Sequence, residues 1–188
     1  MSVSILFSSF PSFGFSGSRS VPVSVVGTSL SASVAFAVSC VPEGASVSVG
    51  CAGGVDAAVR LAFPLASVFR AAEYPARNFA ASLALRSIAC VRSVASAGGL
   101  WVSFPSVACP SVVRPCASPF SVGGRSGTWA SAALAAFLGM PVLVCIPAGA
   151  LFGCPSWGSW SFVGCAPSSG GVAGGSFFLL RPPGTALF

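Results

Sequence analysis

The segment Gly50-Cys51-Ala52-Gly53-Gly54-Val55-Asp56 decides the predicted fold class of this chain. It follows residues 45–50, where Ser and Val alternate as in a β-strand, and it leads into residues 55–63, which are predicted to be a helix. A glycine turn between a strand and a helix leaves backbone N–H groups exposed at the helix start. Together with the helix dipole, these groups favour an anion such as phosphate.

Two further glycine turns occupy equivalent places. Ser16-Gly17-Ser18-Arg19-Ser20 follows a strand predicted at 10–15, and Gly123-Gly124-Arg125-Ser126-Gly127-Thr128 precedes a helix predicted at 127–138. Turns in this order predict an α/β fold with a doubly wound, mostly parallel Rossmann-like sheet of about five strands and helices on both faces. The carboxyl ends of its strands are expected to form one anion-accepting crevice.

The remaining elements follow from capping residues and apolar runs. Pro22 suits the first position of a helix that extends to Val38, and Asn78 can cap a helix at 79–97. Further strands are predicted at 66–70, 100–104 and 142–146. Residues 1–147 are therefore predicted to form a nucleotide-binding domain. Residues 148–188, rich in Gly, Pro, Ser and aromatics, are predicted to be a partly disordered tail, with short strands near 160–165 and 177–180.

The composition excludes several kinds of chemistry. Of 188 residues only 6% are charged, the net charge is +6, and the chain has no His, no Lys and three acidic residues. A Ser-His-Asp triad, a Walker lysine, a Schiff base and a two-metal site are thereby excluded or disfavoured. The eight cysteines form no Cys-x-x-Cys pair, so they are interpreted as buried free thiols, and no metal or other cofactor is expected.

Two alternatives to a folded α/β domain remain open. Residues 132–152 are apolar and about long enough to cross a bilayer, although Pro141 and Pro147 disfavour one continuous helix. The biased composition would also arise from GC-rich DNA translated in a wrong frame, and the ordered glycine turns argue against that origin. A cytoplasmic location without membrane contact is the preferred interpretation, and a homodimer is left open.

The candidate ligand site draws on all three turns and the long helix. Arg19 is expected to pair with a phosphate, and Arg86 to reach the crevice or, more simply, to lie on a solvated helix face. Asp56 is expected to contact a ribose or base or, preferably, to cap its helix. Trp101 and Trp129 are expected to stack on a base or, preferably, to pack in the core. The full set is Gly17, Ser18, Arg19, Gly53, Gly54, Asp56, Arg86, Ser126, Gly127 and Thr128.

At these motifs the chain resembles the SLOG group of Rossmann-like nucleotide-binding domains, closest in motif order to the DprA/Smf DNA-processing family. The resemblance covers residues 10–147 and rests on Ser16–Arg19, Gly50–Asp56, Arg77-Asn78, Ser126–Thr128 and the apolar strand Pro141–Pro147. It implies a phosphate-binding loop and a nucleotide or nucleotide derivative as ligand. Single-stranded DNA is the alternative ligand that the DprA-like motifs imply.

The more distant LOG family of phosphoribohydrolases carries a catalytic Glu three residues after the Thr of its Gly-rich signature, and this chain has Ser131 there. The resemblance therefore does not imply that activity, although a nucleotide-processing hydrolase using Asp56 remains an alternative. DprA-like proteins also use Lys to hold DNA, and this chain has none. The preferred function is non-catalytic binding of a nucleotide or other phosphate-bearing ligand.

Overall fold

A computed structural model describes residues 2–19, 28–121 and 126–182, which form a mixed α/β fold. The strands in this part of the chain are β1 Ser12–Gly17, β2 Ser46–Gly50, β3 Ser67–Phe69, β4 Leu100–Phe104, β5 Val142–Ile146, β6 Trp160–Cys165 and β7 Ser176–Leu180. The helices are α1 Val3–Phe7, α2 Ser29–Ser39, α3 Val55–Ala62, α4 Phe79–Ser96 and α5 Gly127–Phe137, with a short 3₁₀ helix at Ala71–Glu73.

The strands form one sheet in the order β3-β2-β1-β4-β5-β7-β6. The first five pair in parallel, with Phe13 of β1 opposite Val47 of β2 and Leu100 of β4. Strands β7 and β6 extend this sheet in antiparallel pairing beyond β5. The expected mostly parallel sheet is thus confirmed, but it has seven described strands where about five were predicted.

The segment after residue 147 contributes to the core of the sheet. Strand β7 lies between β5 and β6, and its Phe177 and Leu179 are fully buried. The strands predicted near 160–165 and 177–180 are therefore present as β6 and β7. Burial of apolar side chains of β7 stabilises this region as part of the folded sheet.

Helices cover both faces of the sheet, as predicted. Helices α1, α2 and α3 pack on the face that carries Phe13 and Phe15, and α4 and α5 pack on the opposite face. Gly14, between those two phenylalanines, faces the side chain of Trp101, and a Cβ atom at Gly14 would collide with the indole ring. The small residue in β1 therefore lets a tryptophan from β4 lie across the sheet.

The predicted helix caps at the site are confirmed. Asn78 Oδ1 accepts a hydrogen bond from Ala81 N at 2.9 Å, and Ser126 Oγ accepts one from Trp129 N at 3.4 Å. In the described residues α2 begins after Thr28, whose side chain caps it. The predicted helix start at Pro22 and the glycines Gly123 and Gly124 lie outside the described residues.

The apolar residues 132–152 do not form one membrane-crossing helix. They contain the end of α5, a turn and strand β5. Within the described ranges, α4 is the helix that is long and apolar enough to cross a bilayer, by length and composition only. It carries Arg86 and Arg92, and core helices of globular proteins can pass the same test.

Candidate functional site

A cavity of about 460 Å³ lies beyond the carboxyl ends of β1 and β2, beside the start of the loop that follows β4. Its walls come from the turn after β1, from Gly50, Ala52 and Asp56 at and after the end of β2, from helix α4, from that loop and from the first turn of α5. Strand β1 pairs with β2 on one side and β4 on the other, so the strand order reverses here. Ligand sites of open α/β sheets occupy this position, because two adjacent loops diverge and leave a crevice.

Most of the predicted site residues meet at this cavity. Those among its lining residues are Gly17, Ser18, Arg19, Asp56, Arg86, Ser126, Gly127 and Thr128. Gly53 and Gly54 do not belong to the lining. The structure therefore joins the first turn, the start of α5 and helix α4 in one place, and leaves the tip of the second turn outside it.

Gly54 has an internal role that its sequence position did not reveal. Its φ is 60°, and a Cβ atom there would collide with the backbone oxygen of Ser18. Val55 N donates to that same oxygen at 3.4 Å. Gly54 thus lets the second turn pack against the first, whereas a Cβ at neighbouring Gly53 would meet only Arg19 O at 3.6 Å, an ordinary contact.

Asp56 and Arg86 form a buried ion pair at the cavity wall. Arg86 Nη1 donates to Asp56 Oδ2 at 3.0 Å, and the two residues are 8% and 5% exposed. The preferred expectation of a solvated Arg86 is therefore wrong. The preferred capping role of Asp56 is also wrong, because Asp56 Oδ2 accepts from Ala52 N at 3.2 Å in the preceding turn and no side chain caps α3.

One donor of the Arg86 guanidinium has no partner within the described part of the chain. Its Nε is buried and has no hydrogen-bond partner among the described residues. A buried donor without an acceptor costs free energy, and its burial also closes this atom to a ligand in the present conformation. Burial raises the pKa of the Asp56 carboxyl, and the neighbouring Arg86 guanidinium opposes that rise.

Arg60 holds the second turn in shape. Its Nη1 donates to Gly50 O at 2.6 Å and its Nη2 to Ala52 O at 3.0 Å. Gly50 itself must lack a side chain, because a Cβ there would occupy the place of the Arg86 guanidinium. Sequence reasoning missed both residues as parts of the site, although Arg60 lies one helical turn after Asp56, a spacing that places both on one face of α3.

The first turn of α5 presents backbone donors to the cavity. The N–H groups of Gly127 and Thr128 have no acceptor within the helix, whereas that of Trp129 is capped by Ser126. A Cβ atom at Gly127 would meet no atom of the described residues within 4 Å. Ser131, at the position of the LOG-type acid, is 3% exposed and donates to Gly127 O at 2.9 Å.

Beneath the cavity the polar groups satisfy one another. Trp101 Nε1 donates to Ser16 Oγ at 3.2 Å, and Ser16 Oγ lies 3.0 Å from Ser103 Oγ. Trp101 and Trp129 are 1% and 0% exposed, so their predicted place in the core is confirmed. Burial raises the pKa of the Cys90 thiol to about 12, so this lining residue stays protonated and is no nucleophile at neutral pH.

The described residues contain no group of three or more Cys, Asp or Glu side chains placed to hold a metal ion. All eight cysteines are free thiols, as predicted, although most are only partly buried and Cys165 is exposed. Comparison of the chain with protein-family models, with curated proteins and with solved structures finds no match.

Proposed function

We propose that this Rossmann-like domain binds a nucleotide or another phosphate-bearing ligand in the cavity, without turning it over. The observation that carries the proposal is the convergence of unused donors there. The Arg19 side chain and the N–H groups at the start of α5 border one cavity, and Arg86 lines it while paired with Asp56. Guanidinium groups and helix N-termini are the donors that proteins use for phosphate.

The charge of the cavity supports an anionic ligand. Among its described lining residues Asp56 is the one carboxylate, and it is paired with Arg86. Arg19 is exposed at the mouth, and no described residue forms a hydrogen bond or ion pair with its side chain. The local excess of positive charge therefore lies where a phosphate can meet it.

The same contacts disfavour a hydrolase. A general acid must reach the leaving group with a transferable proton. Asp56 Oδ2 already accepts from Arg86 and from Ala52 N, and Ser131 replaces the acid of the LOG signature. The SLOG-like order of motifs and the placement of the cavity support the binding function that we propose.

The proposal is tested by titrating the purified protein with AMP, inorganic phosphate and single-stranded DNA while following thermal unfolding. A ligand that binds only the folded state raises the midpoint with its concentration. We expect AMP to raise the unfolding midpoint in a saturable way. Arg19→Ala should weaken the AMP affinity about tenfold or more, because it removes a charge-assisted hydrogen bond. Arg92→Ala is the matched control, because Arg92 is exposed on α4 and lies outside the cavity lining.

Each other result has a distinct meaning. Unchanged affinity in Arg19→Ala would refute the placement of the phosphate. Stabilisation by DNA alone that disappears in salt would favour the DprA-like alternative, because binding to a phosphate backbone depends strongly on ionic strength. No response to any phosphate compound would refute the proposed function.

A further inference from the structure

The cavity has an apolar wall that phosphate binding does not use. Helix α4 contributes Ala80, Leu83 and Ala84, and the loop after β4 contributes Val107 and Phe120. The α4 residues recur at a spacing of three and four, so they form one stripe along the helix. Leu83 and Phe120 are half-buried, and Val107 is 56% exposed.

The loop part of this wall is held in place. The backbone oxygen of Val107 accepts a hydrogen bond from Trp129 Nε1 at 2.8 Å, and the Trp129 ring is fully buried. Phe120 packs against the core cluster that contains Trp129. The apolar wall is therefore anchored to the same helix, α5, whose first turn offers its N–H groups to the cavity.

We propose that this wall binds the nucleobase of a nucleotide without edge reading, that is, without hydrogen bonds to the edge of the base that would distinguish one base from another. This proposal rests on the proposed function. A phosphate group fills only a small part of about 460 Å³. The rest of the cavity combines partly exposed apolar side chains with the donors already described. A ligand that matches both is an anion joined to a flat apolar group, and a base supplies a π-face to stack on Phe120.

Several polar side chains near the wall are engaged within the protein, and the single hydroxyls of Ser18, Ser106 and Thr128, which also line the cavity, cannot form the paired hydrogen bonds that distinguish bases. Ser87 and Ser131 each donate to the carbonyl oxygen four residues earlier in their own helices, both at 2.9 Å. Trp101 Nε1 donates to Ser16. No Asn or Gln belongs to the described lining, and these are the residues that distinguish bases by paired hydrogen bonds.

The test compares AMP, GMP, CMP and UMP with ribose 5-phosphate by calorimetric titration of the full chain. We expect the four nucleotides to bind within about threefold of one another and about tenfold more tightly than ribose 5-phosphate, the effect of one stacking contact. Phe120→Ala and Val107→Ala should reduce this difference and leave the affinity for ribose 5-phosphate unchanged. Phe162→Ala is the control, because Phe162 is 61% exposed on β6, away from the cavity lining.

The outcomes separate this inference from the proposed function. Equal affinity for AMP and ribose 5-phosphate would overturn the base subsite and leave the phosphate site standing. A preference for one base well above tenfold would overturn the lack of edge reading. Loss of ribose 5-phosphate binding in Val107→Ala, whose exposed side chain can be truncated with little effect on folding, would also overturn the assignment. Failure of every phosphate compound to bind would overturn both proposals.

Discussion

The first and second glycine turns each follow a parallel strand, β1 and β2, but their surroundings differ. In the first turn, Gly17, Ser18 and Arg19 line the cavity, and Arg19 is exposed there. In the second, Arg60 binds two carbonyl oxygens, and Asp56 accepts from Ala52 N and pairs with Arg86. A Gly-rich strand-to-helix turn therefore does not by itself identify a ligand contact. The deciding property is whether its polar groups already have partners within the protein.

The largest expected effect on stability comes from removing the Asp56 carboxylate, which interacts with the second turn. We expect Asp56→Ala to lower the free energy of unfolding by about 3–5 kcal/mol, because it leaves the buried Arg86 charge without its partner. Glu43→Ala is the control, since Glu43 is exposed, and it should change stability little. Urea unfolding measures both variants. A loss below about 1 kcal/mol for Asp56→Ala, typical of an exposed pair, would contradict the internal role of the second turn.

A smaller effect should separate two neighbouring glycines. Gly54→Ala should lower stability by about 1–3 kcal/mol, because the backbone has a positive φ and a Cβ would press on the first turn. Gly53→Ala is its matched control and should be nearly neutral, since Gly53 is exposed and has no such contact. Thermal unfolding of the two variants checks the prediction. Equal midpoints would show that the turns do not depend on this close packing.

The smallest effect on stability is expected where the ligand is proposed to bind. Gly127→Ala should leave the free energy of unfolding within about 0.5 kcal/mol, because a Cβ there meets open space. It should nevertheless weaken AMP binding by up to about tenfold, since the methyl group would obstruct the first turn of α5. Gly153→Ala, in equally open space outside the cavity, should change neither property. Unaltered AMP affinity in Gly127→Ala would argue against phosphate contact at this helix end.

Much of the α/β scaffold could be predicted because its signals are local. Strands β4 and β5 have the predicted bounds, and α4 begins after its predicted cap Asn78. Each signal consists of adjacent residues: a capping side chain, an apolar run, or a Gly or Pro that ends an element. The position of β7 in the sheet was not predictable in this way. It depends on the free edge of β5, which is contributed by a distant part of the chain.

The candidate site shows the same limit more sharply. Arg86 stands in a helix whose sequence gives it no distinguishing pattern, and its burial depends on Asp56, which precedes it by 30 residues. Gly50 makes room for the pair, again from a different element. Only the packing of α4 across β2 brings these residues together. Single segments therefore favoured a solvated Arg86 over one that reaches the crevice.

The sequence by itself determined the alternation of strands β1–β5 with helices α2–α5, the capping of α4 and α5, and the absence of His and Lys chemistry. These features depend on residue types and on neighbours a few positions away. The tertiary structure alone decided that the exposed Arg19 of the first turn is open to the cavity, whereas the polar groups of the second turn are engaged within the protein. It also decided that Arg86 is buried with an unpartnered Nε. The reason is physical: burial and hydrogen-bond satisfaction are properties of groups that meet in space from distant parts of the chain.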